Sequence, residues 1–569
     1  MTPEALPPAD PVALEGLFGW LSPGTTRRGV ILCGTHGFEQ LSAHRAWRDL
    51  AGRIAATGCA TLRFDWPGEG DSGDAGAGRL DAWRAALRRA IRQLREEGAD
   101  EIALVGLRLG ATLAAHVAAQ DGGIDRLVLI GPFASGNAFR REMRMGSRTI
   151  GRLPDGAPLP QEPDGLTVGG FRLGEAFLAE LAALDLTALP RAPAPEILLL
   201  GGEAGTLPAR LSGLGARVAT RPFPELGNLV SNPLFAECPE AAFSAVSAFA
   251  AEGALPRSRV AEPPCPRPAA IAGPGWRETP ARFGAGLFGI RCAPEPPASH
   301  LPSPIVLFVN AGTNLRSGWG RQTTALARRL AGRGVPSLRM DLGGLGDSAD
   351  RPGRASPLYS DAVLADVAAA LDHLRADGPV VLVGACSGAY LGFHAAVHEP
   401  RLSGALLINL YCFDWRPGDS IEAGIREIYR GTGTYAALLA RGDAWRRLLR
   451  GDVRVGPILR ALARRGGTAL GSRLAPFLGR GPKGGSVARR VAAMRRRGVH
   501  LRLVYSAGDP GLAQVPLHLG RDPARRLGAP VTVIEGADHD LSPPAAQARL
   551  AACLDELLRA VAGPGHVPT

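Results

Sequence analysis

Apolar residues fall along this chain in two alternating rhythms. Short unbroken runs such as "GVILCGTHG" (residues 29–37) and "PIVLFVNAG" (304–312) are each followed by a stretch in which Ala, Leu and Arg recur at helical spacing. A second apolar run then closes on D-x-x-G-x-G-D-S, in "TLRFDWPGEGDSGD" (61–74) and "SLRMDLGGLGDSAD" (337–350). Amphipathic helices are predicted over "LDAWRAALRRAIRQLREEG" (80–98) and "LADVAAALDHLRADG" (364–378), and a third apolar run ends in a glycine-rich corner, "IALVGLRLGATLA" (102–114) and "VVLVGACSGAYLG" (380–392). Strands alternating with helices of about ten or more residues predict parallel β-α-β units, hence an α/β fold with an open sheet covered on both faces.

The same series is written twice. "GLFGWLSP" (16–23) returns as "GLFGIRCAP" (286–294), and the D-x-x-G-x-G-D-S and corner segments return in the same order. This predicts two tandem domains, residues 1–254 and 276–569, joined by a proline- and glycine-rich linker over 255–275. Each has the size of one large α/β sheet. Between the fifth strand and the last strands each copy carries an insertion. In the second copy it runs from about Trp415 to Arg497, arginine-rich and helical in pattern, and is expected to cap the C-terminal edge of the sheet, where open α/β folds bind ligands.

Composition narrows the partners. A hydrophobic fraction of 46% with 21% charged residues suits a globular chain, and the net charge of +12 raises the question of nucleic acid. Lys483 is the only lysine, an arginine bias that coding composition alone produces, and no nucleic-acid recognition motif accompanies it, so no such partner is expected. The densest arginine cluster coincides with the cap, where it suits an anionic substrate, an acyl carrier or another acidic partner protein. No apolar window reaches the roughly 18 residues of a spanning helix, and the first residues lack a basic segment followed by an apolar one; a cytoplasmic location is expected. The eight scattered cysteines form no C-x-x-C pair, so neither a disulfide framework nor a metal site is suggested. "DLGGLGDS" lacks the G-x-x-x-x-G-K-[ST] pattern of a phosphate cradle and reads as a structural loop. No cofactor is required.

The corner of the second copy holds two candidate nucleophiles. Gly384 and Gly388 stand two residues either side of Cys386, the spacing a strand-to-helix corner needs when its central residue is strained and its flanks meet neighbouring backbone. A frame shifted by one, from Ala385 to Ala389, is also small at both ends and leaves Ser387 open. Alignment of the copies sets Arg108 opposite Cys386 and Leu109 opposite Ser387.

On these motifs both copies resemble α/β-hydrolases, in particular bacterial serine-aminopeptidase-type hydrolases, including those associated with exosortase and polysaccharide gene clusters. The resemblance spans nearly the whole chain, and the cysteine at the corner is similar to that of dienelactone-hydrolase-like members. It implies a triad in the order nucleophile, acid, histidine: Cys386, then Asp509 in "VHLRLVYSAGDPGL" (499–512), then His539 in "PVTVIEGADHDLS" (530–542). It also implies an oxyanion hole from the N–H groups of Ser387 and of Thr313 in "NAGTN" (310–314). The implied activity is hydrolysis or acyl transfer on an ester or thioester, small-molecule or carrier-bound, through an acyl-cysteine. The first copy has Arg108 at the corner, Ala204 at the acid position and Asn228 at the histidine position, which reads as a degenerate, pseudo-enzyme domain. The competing reading is a non-catalytic binding or scaffold protein. His116 and His394, matched in the helices after the two corners, read as helix packing.

Overall fold

The computed structural model describes residues 7–76, 78–153, 157–161, 163–201, 205–257, 270–297, 303–352, 356–375, 378–415 and 486–563. Most of the expected cap (416–485), much of the linker (258–269) and Ala204 lie outside the described residues.

The first half supplies β1 (Asp10–Leu14), β2 (Leu17–Ser22), β3 (Arg28–Cys33), β4 (Ala60–Phe64), β5 (Glu101–Leu107), β6 (Arg126–Ile130), β7 (Gly165–Val168), β8 (Phe171–Gly174), β9 (Glu196–Leu200) and β10 (Arg217–Arg221). Eight of them form one sheet in the order β1-β2-β4-β3-β5-β6-β9-β10, while β7 and β8 pair separately. From β4 to β10 the neighbours are parallel. The continuous apolar runs make the central strands, buried on both faces as parallel strands under helices must be. The repeated G-L-F-G segment forms an antiparallel margin instead: β1 and β2 are joined by a two-residue turn, Glu15-Gly16, with both φ positive, the geometry that closes a tight hairpin.

The second half supplies β11 (Ile271–Gly273), β12 (Trp276–Phe283), β13 (Leu287–Pro294), β14 (Ile305–Phe308), β15 (Ser337–Asp341), β16 (Val380–Ala385), β17 (Leu402–Ile408), β18 (His500–Ser506) and β19 (Val531–Ile534). β11, β12, β13 and β15 are neighbours in that order, as are β14, β16, β17, β18 and β19. β11, β12, β13 and β15 pair antiparallel, and β14, β16, β17, β18 and β19 pair parallel.

By compactness the chain divides differently from the repeat. One unit comprises Met1–Arg148, Gln161–Ser299 and Thr313–Ala355; the other comprises Thr149–Pro160, His300–Gly312 and Ser356–Thr569. The first unit contains both D-x-x-G-x-G-D-S loops, and they make the same bonds. Asp71 N–H donates to Asp65 Oδ2 (2.9 Å), Ser72 Oγ donates to the Asp65 carbonyl (2.6 Å), and Phe18 N–H donates to Ser72 Oγ (2.9 Å). In the other loop Asp347, Ser348, Asp341 and Phe288 do the same at 3.1, 2.6 and 2.9 Å. A Cβ on Gly70 or Gly346 would sit 2.0 or 2.2 Å from the aspartate oxygen, so the motif's second glycine is fixed by the turn itself. Both loops are thus closed by the same set of internal hydrogen bonds.

Within the same unit these loops carry a buried ionic lattice. Arg316 reaches Asp71 (2.6 Å), Asp341 (2.6 Å) and Asp347 (2.8 Å). Arg339, wholly buried, binds Asp71 (2.6 Å) and Glu278 (2.5 Å), while Arg63 binds Asp347 (2.5 Å). Arg63 and Arg339 hold matching places in the repeat, as do Asp71 and Asp347, so the two Arg–Asp pairs are reciprocal. Burial opposes ionisation of Asp347, but Arg63, His44 and Arg316 outweigh it and hold its carboxyl well below the ordinary carboxylate range.

Candidate active site

The second unit contains β14 and β16 to β19, and with them Cys386, Ser387, Asp509 and His539. β16 is buried along its length and runs directly into the helix Ser387–His398. Cys386 occupies the joint at φ 52°, ψ −116°, a left-handed conformation that a non-glycine residue adopts only when its surroundings impose it. Its N–H donates to the Ile408 carbonyl at 2.9 Å. The flanking glycines are required by contact: a Cβ on Gly384 would lie 2.2 Å from the Gly388 carbonyl oxygen, and one on Gly388 would lie 2.3 Å from that of Asn310.

The two corner residues face different surroundings. Cys386 is partly exposed, whereas Ser387 is buried and its hydroxyl accepts the Gly312 N–H at 2.9 Å. Tyr359 brings its hydroxyl to 3.8 Å from Cys386 Sγ.

Asp509 and His539 stand on the loops that leave β18 and β19. Asp509 caps a short 3₁₀ turn, accepting the Gly511 N–H at 2.8 Å through Oδ1, and its Oδ2 lies 2.6 Å from His539 Nδ1. Burial works against the imidazolium, but Asp509 and, after it, Cys386 outweigh that and raise the His539 pKa well above that of an ordinary imidazole.

Sequence reading missed the residue that secures this loop. Asn409, buried and at φ 47° just beyond β17, donates through Nδ2 to the His539 carbonyl (2.5 Å) and to Ser506 Oγ (3.0 Å), and accepts the Ser506 N–H (2.8 Å) through Oδ1. One side chain thus rivets the histidine loop to the end of β18. An asparagine after an apolar strand tolerates left-handed φ, a signal too common to single it out. His394 bonds the Phe413 carbonyl at 3.0 Å, in keeping with a packing role. Thr313 is part of the first unit and follows Gly312, itself at φ 55°.

The corner of the first half has the same backbone and different chemistry. Arg108 stands at φ 53°, ψ −118°, between Gly106 and Gly110, where a Cβ would meet backbone at 2.3 and 2.1 Å. Its guanidinium pairs with Glu39 (3.0 Å) and with Glu142, and lies 4.1 Å above the ring of Phe133. Asn228 is exposed on the helix Leu226–Ser231.

Residues 26–166 match the family described as "Serine aminopeptidase, S33", and residues 306–569 match "Alpha/beta hydrolase family". Both halves are α/β-hydrolase domains, and the protein is an α/β-fold hydrolase. No curated protein sequence matches the chain. Among solved structures, Est1E from Butyrivibrio proteoclasticus with bound ferulic acid is similar at 17% identity and TM-score 0.31, over 43% of this chain and 97% of that one. The Pyrococcus furiosus esterase Pf2001 is similar at 16% identity and TM-score 0.29, over 42% and 90%. Proline iminopeptidase from Mycobacterium smegmatis is similar at 14% identity and TM-score 0.28, over 43% and 97%. Among the described residues no helix is long and apolar enough to cross a membrane.

Proposed function

We propose that the protein hydrolyses carboxylic esters or thioesters, or transfers their acyl group, through an acyl-Cys386 intermediate. Cys386 Sγ attacks the carbonyl carbon as the C–O or C–S bond to the leaving group breaks. His539 gives its proton to the leaving oxygen or sulfur, then accepts one from water or another acceptor that attacks the acyl-enzyme and restores the thiol. Asp509 keeps the imidazole oriented and favours its charged form. The Ser387 N–H, next to the nucleophile, is the proposed first oxyanion donor, and the Thr313 N–H, from the sequence pattern, the second. The reading is carried by one observation: Cys386 stands at a strained corner between two sterically required glycines, in the unit that also holds His539 2.6 Å from Asp509. The buried, hydrogen-bonded Ser387 hydroxyl favours Cys386 over its neighbour.

The first domain is proposed to be catalytically silent, its corner closed by the Arg108–Glu39–Glu142 cluster. The test uses the full chain with a panel of p-nitrophenyl esters and an acyl thioester. Cys386→Ala is expected to cut turnover by about a thousandfold or more and to abolish an acyl adduct on the 380–392 peptide. Full turnover in that variant on every substrate the native enzyme cleaves sinks the reading. Ser387→Ala is expected to retain the adduct.

A further inference from the structure

Tyr359 has no place in the triad, yet its hydroxyl is a polar group beside the Cys386 sulfur, 3.8 Å away. We propose that Tyr359 is a catalytic residue of this site, donating its phenolic O–H to the Cys386 thiolate in the resting enzyme and releasing it as the sulfur bonds to the acyl carbon. The proposal rests on the reading of Cys386 as nucleophile.

Three observations carry it. Tyr359 sits at φ 54°, a conformation costing a bulky residue on the order of 1 kcal/mol or more, which persists only where the surroundings fix it. The ring is fixed by stacking on Trp415 (4.1 Å between centroids, 15° between planes) and by an edge contact with Tyr390 (5.2 Å). The chain is turned immediately afterwards by Ser360, whose Oγ accepts the Ala362 N–H at 3.2 Å and opens the 3₁₀ turn Asp361–Val363. A strained backbone and two aromatic neighbours together point the hydroxyl at the sulfur.

The bond also distinguishes the two states of the sulfur. A neutral thiol can exchange donor and acceptor roles with a phenol, whereas a thiolate only accepts. Burial, followed by the charge of Cys386, raises the phenol pKa well above its ordinary value, so Tyr359 keeps its proton and remains a donor. The titratable groups around the pair are His539, backed by Asp509, and, on the Tyr359 side, Cys412 and Tyr411. A charge-assisted bond from the phenol to the sulfur favours the thiolate. No pattern in the sequence marks Tyr359, which lies in an irregular stretch between the D-x-x-G-x-G-D-S loop and the next helix.

Tyr359→Phe preserves the ring that stacks on Trp415 and removes only the hydroxyl. The measurement is the pH profile of Cys386 alkylation by iodoacetamide in the full-length protein, read on the 380–392 peptide, alongside the pH profile of kcat/KM on the p-nitrophenyl ester that turns over. The phenylalanine variant is expected to alkylate roughly tenfold more slowly at about pH 6, to converge with the native protein at high pH, and to shift the acid limb of kcat/KM in the same direction. An unchanged alkylation profile overturns the inference and leaves the nucleophile in place, because Cys386→Ala is still inactive. An active Cys386→Ala protein overturns the nucleophile reading and this inference with it. Tyr359→Leu, which also loses the stacking, separates the two roles. A Leu variant shifted like the Phe variant assigns the effect to the hydroxyl; a shift in Leu but none in Phe assigns it to packing and refutes the proposal.

Discussion

Cys386 and Ser387 differ by one oxygen-for-sulfur exchange and one position, yet they meet opposite surroundings. The strained central position leaves its side chain partly exposed, with the Tyr359 hydroxyl 3.8 Å from the sulfur, and the next residue, the first of the helix, turns its hydroxyl to the Gly312 N–H. Asp509 matters through charge as well as orientation. The His539 pKa is raised in the folded protein, so the protonated ring favours folding: that contribution is complete below about pH 6.5 and is lost as pH rises through the raised value. Asp509→Asn is therefore expected to destabilise the protein by about 3 kcal/mol near pH 6 and by progressively less as pH rises through the raised value. Urea midpoints over a rising pH series check this, and a loss that does not fall with pH contradicts it. Asp509 and His539 were picked out in the sequence by the nucleophile, acid, histidine order that the resemblance implies, and in the structure the two side chains meet at 2.6 Å. Asn409 and Tyr359 were not, because their roles depend on which distant loop arrives beside them.

At the scale of elements, the corner is a backbone device that works with or without a nucleophile. Gly384 and Gly388 leave no room for a methyl group, and neither do Gly106 and Gly110 in the other half. Gly384→Ala and Gly110→Ala are each expected to lose about 3 kcal/mol or more, since backbone must move to admit the Cβ. Thermal denaturation of the two variants tests this, and a wild-type melting temperature in either would mean the corner is looser than drawn. The strand and helix order followed from periodicity. The antiparallel margins made by the G-L-F-G repeats did not, because an isolated short apolar segment says nothing of its partner's direction.

At the scale of the molecule, Asp71 and Arg339 are 268 residues apart in sequence and meet in one buried lattice of the first unit. Arg339→Met takes one of two arginine partners from each of the buried Asp71 and Glu278 carboxylates, leaving Arg316 on the one and Arg328 on the other, and a loss of about 3 kcal/mol is expected. Thermal denaturation of the variant checks this, and a wild-type melting temperature contradicts it. The arginine richness that sequence reading set aside as compositional bias is thus used, in part, inside the protein rather than for binding on its surface.

Periodicity, the double writing of the motifs and the glycine spacing determined the fold and narrowed the chemistry to a few side chains, because those signals are local and each has its own steric cause. The tertiary structure decided the rest: that His539 lies 2.6 Å from Asp509, that the Ser387 hydroxyl is held by the Gly312 N–H while a tyrosine hydroxyl stands 3.8 Å from the Cys386 sulfur, and that the paired aspartate loops hold buried arginines. Those outcomes depend on which residues meet across long separations, and no short-range pattern in a chain encodes a meeting.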